Sequence, residues 1–447
     1  MAELANAIAG YHRLLHEPKY QDLEWAEKFH VEMRRRGLCQ SGRLLTPVLR
    51  PHLISKEQLR RAAAVSSRLW NLLGRVEILA ADSPQLLNRV RMLPAEKMLA
   101  AIPCGYPRPG AASRLNAVVH NGSMTIRSFE TCASVGLAYA DLLADMFLSL
   151  PIVREFARAG FKLAKLGAVD GLLRCILHAW TDFGAARLPN VAILEPNGNS
   201  IQCGEGEFIA ELFRRSGISA QTVNLDQLEY TKHRLYASAF PVDVLFRRID
   251  TQDLVTRCEL SHPLLTAYRE GAVCLVNGFR SEIWHRRASL ELLTDPAIRC
   301  AFSAADSALL TQVVPWTRLV SARKTAYRDQ EIDLIPYLLR HRQRFVLRPN
   351  EVPGNAPVFT GSELSQSAWE GALRLALRVP YVAQESCPIV CEEFPVYRYN
   401  ELQMQKLSVA VLPHIFNGTL QGASAVLETS PASSAQIVGL APVLTLQ

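Results

Sequence analysis

The chain has 447 residues, 49% hydrophobic and 20% charged, a globular balance with apolar material for more than one buried core. Its 49 Lys and Arg against 42 Asp and Glu leave a net charge of +7, a mild excess for this length and only a faint polyanion signal. No uncharged run reaches membrane-spanning length, no secretory leader opens the chain, and ten cysteines lack paired spacing, so a soluble cytoplasmic protein with reduced thiols is expected.

Up to about Pro103 the pattern is helical. "LEWAEKFHVEMRRRGL" and "SKEQLRRAAAVSSRLWNLLGRVEILAA" repeat apolar residues every three or four positions, and Ser55 with Gln58 forms a capping box for the second. "LNAVVHNGSMTIRSFE" then places two β-type runs around Asn121-Gly122, a hairpin signal because both turn residues need positive φ. "GLAYADLLADMFLSLP" and "FKLAKLGAVDGLLRCILHAWTDF" read as helices.

From about Leu188 the period changes. "NVAILEP", "AQTVNL", "VDVLFRRI" and "AVCLVN" read as short buried strands with helices such as "EGEFIAELFRRSGIS" between them. That alternation implies a parallel, Rossmann-like sheet. "NGNSIQCGEGEF" has glycines at the wrong spacing for a dinucleotide fingerprint. The last third holds helices "SEIWHRRASLELL" and "EIDLIPYLLRHRQ", then "FVLRPNEVPGNAPVFTG", an apolar strand leading into a Gly/Pro/Asn loop. Helix "SAWEGALRLAL", strand "YVAQES" and a tail folding back at Asn417-Gly418 complete the chain, with "ETSPASSAQ" as a loop.

Several of these stretches together resemble the circularly permuted ATP-grasp proteins, relatives of glutathionylspermidine synthetase. They are "VDVLFRRI", "HPLLTAYREGAVCLVNGFRSEIWHRRASLELLTD", "VPWTR", "FVLRPN", "PYVAQES" and "IFNGTLQGASAVL", in the family's order from about residue 110 onward. The resemblance implies an α+β, circularly permuted ATP-grasp fold with a Rossmann-like pre-ATP-grasp domain behind a helical N-terminal region. The expected divisions are 1–110 (helical region), 111–185 (hairpin and helices of the metal-site portion), 186–276 (pre-ATP-grasp domain) and 277–447 (nucleotide-binding portion). Active members phosphorylate a carboxylate with ATP and pass the acyl group to an amine or thiol. That chemistry needs Mg²⁺ on hard oxygen ligands and a glycine loop whose amides meet the phosphates.

Residue by residue, the resemblance assigns cofactor-binding positions to Arg287, Arg348, Asn350, Gly354, Gln384 and Glu385. Arg348 stands where the family has lysine, Glu351 replaces Asp, and Asn355, Ala356 and Pro357 replace Gly, Lys and Gly. Proline has no N–H and a fixed φ, so Pro357 cannot serve as that glycine did. The metal positions are Asn116, Ser128 and Glu130, with Cys132 where a further Glu is usual. Glu130 and Asn116 are thus vestigial ligands, ATP stays a candidate cofactor, and Mg²⁺ binding is not favoured. A strict two-residue turn would set Asn116 opposite Arg127, whereas a bulge would set it opposite Ser128.

These losses point to a pseudo-ligase that binds a partner, such as an active ATP-grasp relative, or a metabolite, without turnover. Two alternatives stay open. One is a divergent ATP-dependent ligase acting on a small-molecule carboxylate. The other is a polyanion binder using "RHRQRF", Arg340 to Phe345, although arginines at a helix end in solvent explain that run as well. Neither a membrane nor a nucleic acid is an expected partner. No His-Glu-x-x-His, P-loop or Gly-x-Ser-x-Gly is present, and His285 reads as a packed helix residue.

Overall fold

A computed structural model describes residues 2–447 except 41, 121, 133–135, 197–203, 329, 352–355 and 430–435. The chain is α+β and carries three principal sheets. The largest runs His52–Ser55, Ile437–Leu446, Thr419–Thr429, Glu401–Phe416, Ala112–His120, Ser123–Glu130 in spatial order, so segments far apart in sequence share one surface. The second is four-stranded and parallel, in the order Cys274–Val276, Val244–Arg247, Val191–Leu194, Ala220–Val223. Every residue of its two central strands is buried, as expected for a parallel sheet covered on both faces. The third is antiparallel: Thr317–Leu319, Tyr381–Glu385, Phe345–Pro349, Phe359–Thr360.

Local chemistry explains most boundaries. Ser55 and Gln58 form the expected capping box at the head of helix Lys56–Ala81. The second hairpin turns at Asn417 and Gly418, with φ of 47° and 81°, and pairs Phe416 with Thr419. In the first hairpin His120 pairs with Ser123 around Gly122, while Asn121 lies outside the described residues, as does most of "ETSPASSAQ". Helix Leu137–Ser149 has its free N-terminal amides satisfied by one side chain. Glu205 accepts from Ala138 N at 2.8 Å and from Tyr139 N and Gly136 N at 3.1 Å. Arg248, from the parallel sheet's side, donates to the same Glu205 at 2.7 Å, locking that sheet to the large one.

Three expectations need correction. The N-terminal third is not wholly helical, because the buried run His52–Ser55 joins the edge of the large sheet in parallel with Val443–Leu446. "SEIWHRRASLELL" is two helices, Glu282–His285 and Ala288–Thr294. The break falls where Arg286 pairs with Glu96 and Glu351 while the Arg287 amide donates to Asn350 O at 2.9 Å. Finally, "EID" at Glu331–Asp333 belongs to a hairpin with Lys324–Tyr327, and the helix begins only at Leu334. Pro336 then sits in its first turn, where a missing N–H costs nothing.

Candidate functional site: a cationic cleft between two sheets

The antiparallel ladder of the small sheet sets which side chains face the large one. Arg348 pairs with Val382 and Val346 with Gln384, so these four share a face. Phe345, Leu347, Tyr381 and Ala383 take the other face and pack with Trp369 and Leu338. Gln384, 1% exposed, reaches across to donate to Arg127 O at 3.3 Å and to Thr317 Oγ1 at 3.3 Å. Glu385 points the opposite way, accepting from Tyr327 Oη at 2.7 Å and from Arg344 at 3.3 Å. The two neighbours assigned to one adenosine contact therefore lie on opposite faces of their strand.

On the large sheet a bulge decides the geometry. The register shifts between Asn116 and Ala117: Asn116 opposes Ser128 and Ala117 opposes Ile126, leaving Arg127 as the extra residue. Leu115, Ala117, Ile126 and Phe129 pack into the core, so Arg114, Asn116, Ser128 and Glu130 occupy the opposite, cleft-facing side. Glu130, the carboxylate of the metal positions, is taken: the Arg114 guanidinium closes on it through Nη2, and through Nε at 3.1 Å. Asn116 Oδ1 is enclosed without a hydrogen-bond partner. One neutral carbonyl, one hydroxyl and one carboxylate already bound to a guanidinium do not make a two-magnesium site, which needs several free anionic oxygens.

Three arginines converge on this cleft. Arg127, Arg287 and Arg348 each have a buried Nε without a partner, and among the described residues none forms a salt bridge. Arg287 caps helix Ala288–Thr294 and donates through Nη1 to Pro349 O at 2.6 Å and to Glu351 O. Burial pulls Arg287 down to about 10, only partly offset by the charge of Glu130. Burial, followed by repulsion from Arg287 and Arg127, pulls Arg348 down to about 9, with Cys387 and Glu428 opposing the shift. A guanidinium keeps its proton in a protein, so this pull registers as electrostatic strain among the clustered guanidinium groups.

Asn350 is a structural clamp in this geometry. It is 1% exposed, with Oδ1 accepting from Ala288 N at 2.8 Å and Nδ2 donating to Val90 O at 2.9 Å. Gly354, Pro353 and Asn355 lie outside the described residues. Within "RHRQRF", Arg342 binds Gly361 O and Leu364 O, and Arg344 binds Tyr327 and Glu385, so these two arginines serve the fold locally.

A second cluster was not visible from spacing. Cys132, Asp250 and His285 come from three segments, and their ligand atoms lie within 4.8 Å of one another. Cys132 Sγ donates to Asp250 Oδ1 at 3.0 Å and lies 3.4 Å from His285 Nε2. Thr131 N donates to His285 Nδ1 at 3.3 Å, which places the ring proton on Nε2 and removes that nitrogen's lone pair from metal binding. Burial keeps the imidazole neutral, lowering it to about 4, and raises Asp250 to about 7 and the thiol well above its usual range. In this state the cluster is a hydrogen-bonded knot whose thiol is not activated as a nucleophile.

No helix is long and apolar enough to cross a membrane among the described residues. No protein-family model and no curated protein sequence matches the chain. Among solved structures it is similar to a glutathione synthetase-like effector from Globodera pallida in its apo form, at 13% identity and a TM-score of 0.61, over 97% of this chain and 98% of that one. Coarser likenesses are a putative gamma-glutamylcysteine synthetase from Methylobacillus flagellatus (11% identity, 85% of each chain, TM-score 0.40) and a RimK domain ATP-grasp protein from Sphaerobacter thermophilus (15% identity, 57% of this chain and 90% of that one, TM-score 0.29). At 13% identity the near-complete match shows a shared fold: this chain is built like the glutathione synthetase-like effector.

Proposed function

We propose that the chain is a permuted, ATP-grasp-type homologue of carboxylate-amine ligases that binds a nucleotide polyphosphate in the cationic cleft without performing ligation. The observation that carries this reading is the pairing of Glu130 with Arg114 beside three arginines that form no salt bridge among the described residues. Phosphoryl transfer rests on positioned charge, and divalent ions need anionic oxygens that the cleft does not present. What the cleft offers is guanidinium N–H groups, the donors best matched to phosphate oxygens. Cytoplasmic location, the division at 110, 185 and 276, and a protein partner such as an active relative belong to the same proposal.

Calorimetric titration with ATP, paired with an ADP-release assay over a panel of small carboxylates and amines, tests it. Saturable ATP binding with no ADP release above the buffer rate is expected. Amine- and carboxylate-dependent ADP release would overturn the pseudo-ligase reading, and absence of ATP binding would overturn the nucleotide reading.

A further inference from the structure

The two-magnesium requirement of an ATP-grasp ligase and the residues of this cleft disagree, and the disagreement has a definite form. The place where carboxylates would hold metal is filled from within by Arg114, bound to Glu130. Next to it, the β-bulge inserts Arg127 as the extra residue between Ile126, which opposes Ala117, and Ser128, which opposes Asn116. The bulge is fastened at its own carbonyl by Gln384 from the facing sheet. Arg127 is therefore held across from Arg348 by main-chain geometry and a cross-sheet hydrogen bond.

We infer that fixed guanidinium groups replace the magnesium ions in this cleft, so that it takes an uncomplexed polyphosphate anion and is antagonised by divalent metal. The inference rests on the nucleotide reading above only for the identity of the ligand, since its own subject is the charge partner of the phosphates. Magnesium bound to ATP neutralises part of the triphosphate and occupies oxygens that guanidinium forks would otherwise engage. In a magnesium-dependent site that loss is recovered through carboxylates on the metal. Here Glu130 is committed and the remaining groups at the metal positions, Asn116 and Ser128, are neutral. The metal complex would thus bring its hydrated cation against Arg127, Arg287 and Arg348, and like charges in a confined cleft repel. Free polyphosphate, by contrast, supplies the anion that these unpaired arginines lack.

The experiment is titration of the full chain with ATP and, separately, with inorganic tripolyphosphate, each in EDTA and in excess Mg²⁺. Both ligands are expected to bind in EDTA and to weaken several-fold when Mg²⁺ is added. Arg127→Met, which keeps length and loses charge, is expected to weaken tripolyphosphate roughly tenfold. Binding of ATP only in the presence of Mg²⁺ would overturn the inference and leave the nucleotide reading standing. Tripolyphosphate binding in EDTA without ATP binding would do the reverse, sustaining the inference and overturning the nucleotide reading. If neither binds in either condition, both fall. The magnesium comparison uses the unaltered protein, so it decides the matter even if Arg127→Met fails to fold.

Discussion

Asn350 and Ala288 are joined by a hydrogen bond from the Ala288 amide to Asn350 Oδ1 at 2.8 Å, which seats the N-terminus of helix Ala288–Thr294 against the strand carrying Arg348. Because Asn350 also donates to Val90 O at 2.9 Å, the same side chain ties this strand to the helical region.

Asn350→Ala would leave a buried amide and a buried carbonyl unpaired. Each such group costs about 1–3 kcal/mol, so a destabilisation of about 2–6 kcal/mol is expected. Denaturant unfolding checks it. The Arg287 amide bonds the main-chain carbonyl of Asn350, which alanine keeps, so polyphosphate binding should weaken no further than the stability loss explains. Unchanged stability would show that water replaces the clamp.

Glu130→Gln separates a structural ion pair from a metal ligand. Both side chains are nearly enclosed, 11% exposed for Arg114 and 6% for Glu130, so removing the carboxylate takes the charged partner from a buried guanidinium. A loss of about 3 kcal/mol is expected from breaking such a pair. A carboxylate kept chiefly for magnesium would behave differently, since removing it would relieve repulsion in the metal-free protein. A rise in melting temperature for Glu130→Gln would therefore contradict the pairing described here.

Acid should unfold this protein through its histidines. His30, His285 and His414 are 6%, 3% and 1% exposed, and burial lowers them to about 4, about 4 and about 3. A depressed histidine pKa means that the unfolded chain takes up the proton first. The stability each neutral ring contributes is present above about pH 6.5 and is lost as pH falls toward the folded value. For His414, beside Arg114 and stacked with Phe416, the loss reaches about 3 kcal/mol by about pH 4. His414→Phe is expected to flatten the stability profile between about pH 6.5 and 4, measured by urea midpoints at each pH. A profile as steep as wild type would remove His414 from this account.

Much of the fold could be read in the residues. Ser55 with Gln58, Asn417 with Gly418, and the buried runs "VAIL" and "VLFR" each specify local structure through a short-range cause: a cap, a positive φ, or apolar continuity. The run His52–Ser55 was hidden because its strand character depends on pairing with a segment almost four hundred positions away. The candidate site divides in the same way. Arg287, Arg348 and Gln384 were named by motif; Arg348 and Gln384 lie on one face of the small sheet, and the charge of Arg287 acts on Arg348. Asn350 was named by the same motif, yet its amide turns out to be spent on Ala288 and Val90. Arg127 carried no motif signal, since its place in the cleft follows from a bulge that the Asn-Gly turn permits but does not require. Arg114 likewise reads as an ordinary strand residue until the ladder sets it opposite Glu130.

The cysteines offer a direct chemical test of the packing. Cys104, Cys132, Cys175 and Cys274 are buried, while Cys300 is exposed at the end of a short helix. Alkylation needs both access and thiolate, and burial denies each: it pushes Cys175 up to about 12 and raises Cys104, Cys132 and Cys274 as well. Treatment of the native protein with iodoacetamide at about pH 8 should therefore label Cys300 first among the described cysteines. The four buried thiols should react only on the timescale of unfolding, as read by mass spectrometry of peptides. Cys132 is the informative one. If it were activated by His285, it would be labelled fast and with an apparent pKa below that of a free thiol. Protection equal to that of Cys175, whose thiol is raised by burial, is the outcome that the Thr131 to His285 Nδ1 hydrogen bond demands, because an imidazole whose Nε2 carries the proton cannot take one from sulfur.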